Sequence, residues 1–148
     1  MPGYLLRFSA SNFQITRESG MKIQYDTILS WLQRLEGFSH VRFLMLFGSV
    51  AEGRELPGSD IDLCISYKGT VEEASRFRVA ALTELSDTPC DIRIFEQMPL
   101  LMRLQVFAGE VLYCPDPDLL YSVAYETIRD YEAFRHRLSD YTGEKAIL

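Results

Sequence analysis

Long hydrophobic runs are missing from this chain: no apolar stretch approaches the ~18 residues of a membrane span. The N-terminus, MPGYLLRFSASNFQ, has no charged start leading into a sustained apolar core, so neither a signal peptide nor a membrane partner is expected. Cysteine is scarce. Cys64, Cys90 and Cys114 are odd in number and without C-x-x-C spacing, and Cys64 and Cys90 lie in strand-like runs where a thiol serves as a small buried hydrophobe. A reduced, cytoplasmic setting is the expectation. The two histidines, His40 and His136, lack metal-ligand spacing. Basic charge is also in deficit, with 15 Lys and Arg against 21 Asp and Glu, a net charge of −6. Coating nucleic acid requires cations against phosphates, so nucleic acid is not expected as the main partner. A nucleotide substrate stays open, because metal ions can supply positive charge locally.

What is present amounts to one domain's worth of globular sequence: 148 residues, 47% hydrophobic and 24% charged, without internal repeats. Residues 1–20 are poorly patterned and read as an N-terminal extension, with Met21 as a conceivable natural start. Residues 21–148 read as the domain. Ile28, Trp31, Leu32 and Leu35 form the stripe of an amphipathic helix ending at Gly37. VRFLMLF (41–47) is continuous enough for a strand buried on both faces. Ser49 and Glu52 have capping-box spacing and predict a short helix, followed by a turn at Pro57-Gly58-Ser59 and a strand over 60–66. Thr70 and Glu73 open another helix, whose apolar face carries Ala74, Phe77, Ala81, Leu82 and Leu85. A strand over 90–96, a helix from Pro99 to Gly109, a short strand EVLYC and a helix from Pro117 to about Leu138 complete the order. The fold class is α+β, or mixed α/β, with a small mixed sheet flanked by helices.

Within this pattern one stretch, LFGSVAEGRELPGSDIDLCI, needs a chemical reason. Side chains alternate on a strand, so Asp60 and Asp62 share one face while Ile61, Leu63 and Ile65 take the other. Asp91 and Arg93 repeat the arrangement on the later strand. If the strands are neighbours, three carboxylates converge, and their repulsion calls for a cation. Hard oxygen donors favour Mg²⁺ or Mn²⁺, and two such ions would clamp an in-line phosphoryl or nucleotidyl transfer. Gly48 and Ser49, between a buried strand and a helix start, have the makings of a phosphate site: backbone N–H groups point outward, and glycine permits close approach.

GSVAEGRELPGSDIDL resembles the signature of the DNA polymerase β-type nucleotidyltransferase superfamily. With the later CDIRIF, the chain is similar to the minimal nucleotidyltransferases of prokaryotes. The likeness is strongest over Phe43–Ile65, continues more weakly to about Asp140, and leaves residues 1–20 outside. It implies a polymerase β-like fold. Gly48 and Ser49 would hold the triphosphate of ATP. Asp60 and Asp62 would bind two Mg²⁺ ions, and Asp91 would complete the cluster and help deprotonate the attacking hydroxyl. Many members carry Arg where this chain has Glu52, and Arg54 and Arg93 are the candidates to restore that charge.

The family's best-known prokaryotic role is as antitoxin to a HEPN-domain ribonuclease, moving AMP from ATP to a toxin tyrosine. A protein acceptor would itself supply the geometry that a substrate-binding domain otherwise provides. The tyrosines of the last helix, Tyr121, Tyr125, Tyr131 and Tyr141, either dock that partner or finish the core. The alternatives are neutralisation by contact alone, and transfer to a small-molecule or RNA hydroxyl. Arg129 and His136 match the loose R-x₆-H spacing of HEPN ribonucleases, but a ribonuclease leaves Gly48, Ser49 and the aspartates unexplained.

Overall fold

A computed structural model of the chain describes residues 7–8, 14–16, 22–48 and 60–142. The helix expected from Ser49 and the turn at Pro57-Gly58-Ser59 lie outside the described residues, as does most of 1–20. In chain order the elements are β1 (Arg7–Phe8), β2 (Gln14–Thr16), β3 (Lys22–Gln24), α1 (Tyr25–Gln33), β4 (Val41–Phe47), β5 (Ile61–Tyr67), α2 (Val71–Glu84), β6 (Cys90–Ile94), α3 (Leu100–Phe107), β7 (Glu110–Tyr113) and α4 (Pro117–Thr142). Strands β2 and β3 form a separate antiparallel pair. The other five make one mixed sheet in the order β1-β7-β4-β5-β6, with helices on both faces. This is the mixed α/β architecture expected from the sequence.

Strand β4 occupies the centre because its side chains are apolar on both sides. Leu44 and Leu46 join the core under α1 and α2, with Ile28, Leu32, Phe77, Ala81 and Ile92. Phe43, Met45 and Phe47 join the opposite core with Phe107, Val106 and Leu120 of α3 and α4. Each large apolar side chain removed from water contributes about 1.5–3 kcal/mol, so a strand apolar on both faces is most stable between two covering layers.

The predicted capping box opens α2. The Glu73 N–H donates to Thr70 Oγ1 and the Thr70 N–H donates to Glu73 Oε1, each at 3.1 Å. Beside shifts of one or two residues at β5 and α3, three boundaries differ from the sequence expectation. Helix α1 stops at Gln33, where the Arg34 and Leu35 N–H groups donate to the carbonyls of Trp31 and Leu32, three residues back, and Gly37, at φ 92°, then leads into a short 3₁₀ segment over Phe38–His40. Strand β6 ends at Ile94 rather than at 96, and Phe95–Gln97 forms a second 3₁₀ turn. That turn places Glu96 to accept the Tyr67 N–H at 2.8 Å and the Ser66 hydroxyl at 2.6 Å, while Arg42 donates to it at 2.9 Å. Helix α4 runs to Thr142, past Leu138, since no helix-breaking residue precedes Gly143.

Candidate active site

The sheet order places the end of β4 beside the starts of β5 and β6. Phe47 is the register partner of Asp62 on β5, and Asp62 is the register partner of Asp91 on the parallel strand β6. Register partners share a face, so the two carboxylates sit side by side. They lie on the α3 and α4 side, at the rim of the core that holds Phe47 and Cys64. Asp60, exposed, lies just before β5.

Gly48 follows β4 with φ 80°, a left-handed conformation that costs a residue with a Cβ roughly 1–2 kcal/mol. A Cβ there would also stand 2.5 Å from Asp62 Oδ2. Backbone and carboxylate are therefore in direct apposition: the φ favours glycine, and a side chain there would displace the Asp62 carboxylate. Ser49 lies outside the described residues, as do Glu52 and Arg54.

Burial pushes the Asp62 carboxyl above its usual range; the charges of Asp91 and, less strongly, Asp60 push it further, while Arg93 partly offsets them. Asp91 has closer compensation. Arg93 Nε lies 3.6 Å from its Oδ2 and Arg78 Nη2 lies 3.8 Å from its Oδ1, and the Ile92 N–H donates to Oδ1 at 2.9 Å. Arg78 reaches across from α2 and donates from Nε to the Ile92 carbonyl at 2.6 Å. Sequence alternation placed Arg93 beside Asp91. It missed Arg78, because a helix-borne arginine leaves no sequence signal that it will turn onto a strand edge.

Among the described residues, no three His, Cys, Asp or Glu side chains form a ready-made metal cage. The donor set nevertheless suits a hard divalent cation: Asp62 and Asp91 are adjacent carboxylates, and the charged form of Asp62 is disfavoured by burial first and then by its acidic neighbours, both of which a bound cation would offset. The thiols play no part. Cys64 is fully buried and donates to Met98 Sδ at 3.6 Å, and burial pushes Cys90 up to about 11.

Acidic strand ends thus lie beside a glycine turn on a mixed sheet. The chain belongs to the family described as Polymerase beta, Nucleotidyltransferase, whose model matches residues 30–118 and so spans Gly48, Asp60, Asp62 and Asp91. A metal-dependent mechanism comes with that family. No curated protein sequence matches the chain at a significant level. Among solved structures, a chain of a toxin–antitoxin complex with AMP-PNP is similar at a TM-score of 0.61 and 18% identity, covering 80% of this chain and 94% of that one. A chain of the toxin–antitoxin complex MntA-HepT is similar at a TM-score of 0.58 and 16% identity, covering 80% and 92%. A chain from the structure of a tri-AMPylated Shewanella oneidensis HEPN toxin in complex with its MNT antitoxin matches at a TM-score of 0.58 and 15% identity, again covering 80% and 92%. These likenesses are of fold. No helix among the described residues is long and apolar enough to cross a membrane.

Proposed function

We propose that this chain transfers AMP from ATP to a protein hydroxyl, a tyrosine of a HEPN-domain ribonuclease toxin, and so acts as its antitoxin. The observation that carries the reading is the in-register pair of Asp62 and Asp91 directly beneath the Gly48 backbone, in a member of the nucleotidyltransferase family. The partner class is supported by the likeness to chains of toxin–antitoxin complexes, one solved with AMP-PNP and one with an AMPylated toxin. Free cysteines agree with a reduced, cytoplasmic setting.

In this mechanism Gly48 and Ser49 hold the triphosphate through backbone N–H groups. Asp60, Asp62 and Asp91 would hold Mg²⁺, two ions, with Mn²⁺ as the substitute, and such a metal would supply positive charge to the phosphoryl oxygens. Asp91, on the outer strand, takes the proton of the attacking hydroxyl. The acceptor oxygen bonds to the α-phosphorus, the bond from that phosphorus to the bridging oxygen breaks, and pyrophosphate leaves with the electron pair.

The test is label transfer from α-phosphate-labelled ATP and Mg²⁺ to the protein encoded beside this one, with the Asp60→Asn/Asp62→Asn double variant as control. Label on an acceptor tyrosine, lost by about 10²-fold or more in the variant, is the expected result. A stable complex without label would replace catalysis with neutralisation by contact, a reading that the exposed Tyr121, Tyr125 and Tyr141 of α4 favour. Label on a small molecule or an RNA end would move the acceptor class.

A further inference from the structure

We infer that Arg78 is a positioning residue for Asp91: it ties one carboxylate oxygen, Oδ1, into the fold and leaves the other, Oδ2, to face the chemistry. The inference rests on the nucleotidyl-transfer reading above and assigns different duties to the two oxygens of its proton acceptor.

Arg78 belongs to α2, which packs through Ala74, Phe77 and Ala81 on the same face of the sheet as Ile92. Asp91 precedes Ile92 on β6, so its side chain points to the opposite face, with its register partner Asp62. Strand β6 ends the sheet order among the described residues. The Arg78 side chain therefore spans the edge of that strand from one face to the other. It does so through a closed ring of contacts. Nε donates to the Ile92 carbonyl at 2.6 Å, the Ile92 N–H donates to Asp91 Oδ1 at 2.9 Å, and Nη2 of the same guanidinium lies 3.8 Å from that Oδ1.

The two hydrogen bonds, rather than charge, set the placement. Both side chains are more than a third exposed and 3.8 Å lies beyond hydrogen-bond range, so solvent screens the ion pair. A rigid planar fork can bond the carbonyl with one nitrogen while keeping a second against the carboxylate, which a single lysine ammonium does not reproduce. Among the described residues Oδ2 has only Arg93 Nε, at 3.6 Å, also outside hydrogen-bond range. With Oδ1 committed at the strand edge, Oδ2 is the oxygen left to meet a cation and to accept the proton of the attacking hydroxyl.

The experiment compares the wild type with Arg78→Lys, which keeps the charge, and Arg78→Ala, which removes the fork, the latter with and without millimolar guanidinium chloride. The cavity of about 170 Å³ that Arg78 lines gives the ion a way to the vacated place. Steady-state transfer from ATP is read together with the thermal midpoint and with calorimetric titration of Mn²⁺ in the presence of AMP-PNP. The expected result is a kcat reduced about tenfold or more in both variants, with KM for ATP within about twofold of wild type. Mn²⁺ should bind several-fold more weakly, and guanidinium should recover part of both losses in Arg78→Ala. A fully active Arg78→Lys would overturn the inference, because charge alone would then suffice. Losses that follow a lowered midpoint and that guanidinium leaves untouched would overturn it as well, since they mark a merely structural arginine. If the wild type transfers no AMP, but Mn²⁺ affinity falls in both variants and returns with guanidinium in Arg78→Ala, the placement of Asp91 stands and the proposed reaction falls. If the wild type transfers AMP and both variants match it in rate and in Mn²⁺ affinity, the reaction stands and the inference falls.

Discussion

At the residue scale, Asp62 carries the tension between folding and function. Burial and the charges of Asp91 and Asp60 raise its pKa in the folded chain, so the folded state binds the proton more tightly than the unfolded state. Stability therefore falls as the pH rises from the ordinary carboxylate range through the raised folded value, and the cost is fully present at neutral pH. Asp62→Asn removes it. Thermal melts of the metal-free protein should show the variant more stable than the wild type near neutral pH, with the difference closing in acid, while nucleotidyl transfer drops by about 10²-fold or more. A variant less stable at neutral pH would mean that Asp62 holds the fold together rather than serving the site. Sequence alternation put Asp60 and Asp62 on one strand face, and it was the Gly48-Ser49 turn ten residues earlier, not the Asp-x-Asp alone, that singled them out. The apposition of Gly48 and Asp62 was not legible, since it depends on the antiparallel register of β4 against β5, and register is a long-range property.

At the scale of elements, the runs with uniform character were readable and the joints between them were not. VRFLMLF and the capping box of Thr70 announce β4 and α2 through composition and spacing alone. The 3₁₀ turn over Phe95–Gln97 is decided by partners far away in sequence. Arg103 of α3 donates to the carbonyls of Phe95, Glu96 and Met98 at 3.0–3.2 Å and its guanidinium lies 5.1 Å from the Phe95 ring centroid. Together with the bonds of Glu96 to Ser66, Tyr67 and Arg42, this fastens the end of β6 to both β5 and α3. Arg103→Met keeps the stem and removes the donors. A loss of about 1–3 kcal/mol is expected, read as a fall in thermal midpoint of roughly 3–10 °C for a chain of this size. Since Arg103 touches none of the site carboxylates, transfer per folded molecule should change far less. A midpoint within about a degree of wild type would show that the turn is held by Glu96 alone.

At the scale of the whole molecule, α4 is longer than the domain requires. Leu120, Ala124, Thr127 and Tyr131 are buried, the first two in the core shared with α3 and the sheet, at the alternating spacings of four and three that keep one face inward. The same stripe continues through Phe134, Leu138 and Tyr141, which are 38%, 36% and 90% exposed. Of the tyrosines singled out in the sequence, Tyr131 finishes the core, whereas Tyr121, Tyr125 and Tyr141 remain outside it. The sequence could not divide them, because periodicity shows that a face is apolar and not whether the domain is large enough to cover it. For the protein partner proposed above, the distal stripe has the features of an interface anchor: apolar side chains in helical register and an aromatic at the tip. Leu138→Glu and Tyr141→Ala should therefore leave the thermal midpoint of the isolated chain almost unchanged, as exposed substitutions do within about 0.5 kcal/mol. Each should weaken the complex by about tenfold or more in calorimetry or surface binding. Unchanged affinity with a lowered midpoint would reverse the assignment, making the stripe part of this chain's own packing, and the docking face would then have to be sought elsewhere on the surface.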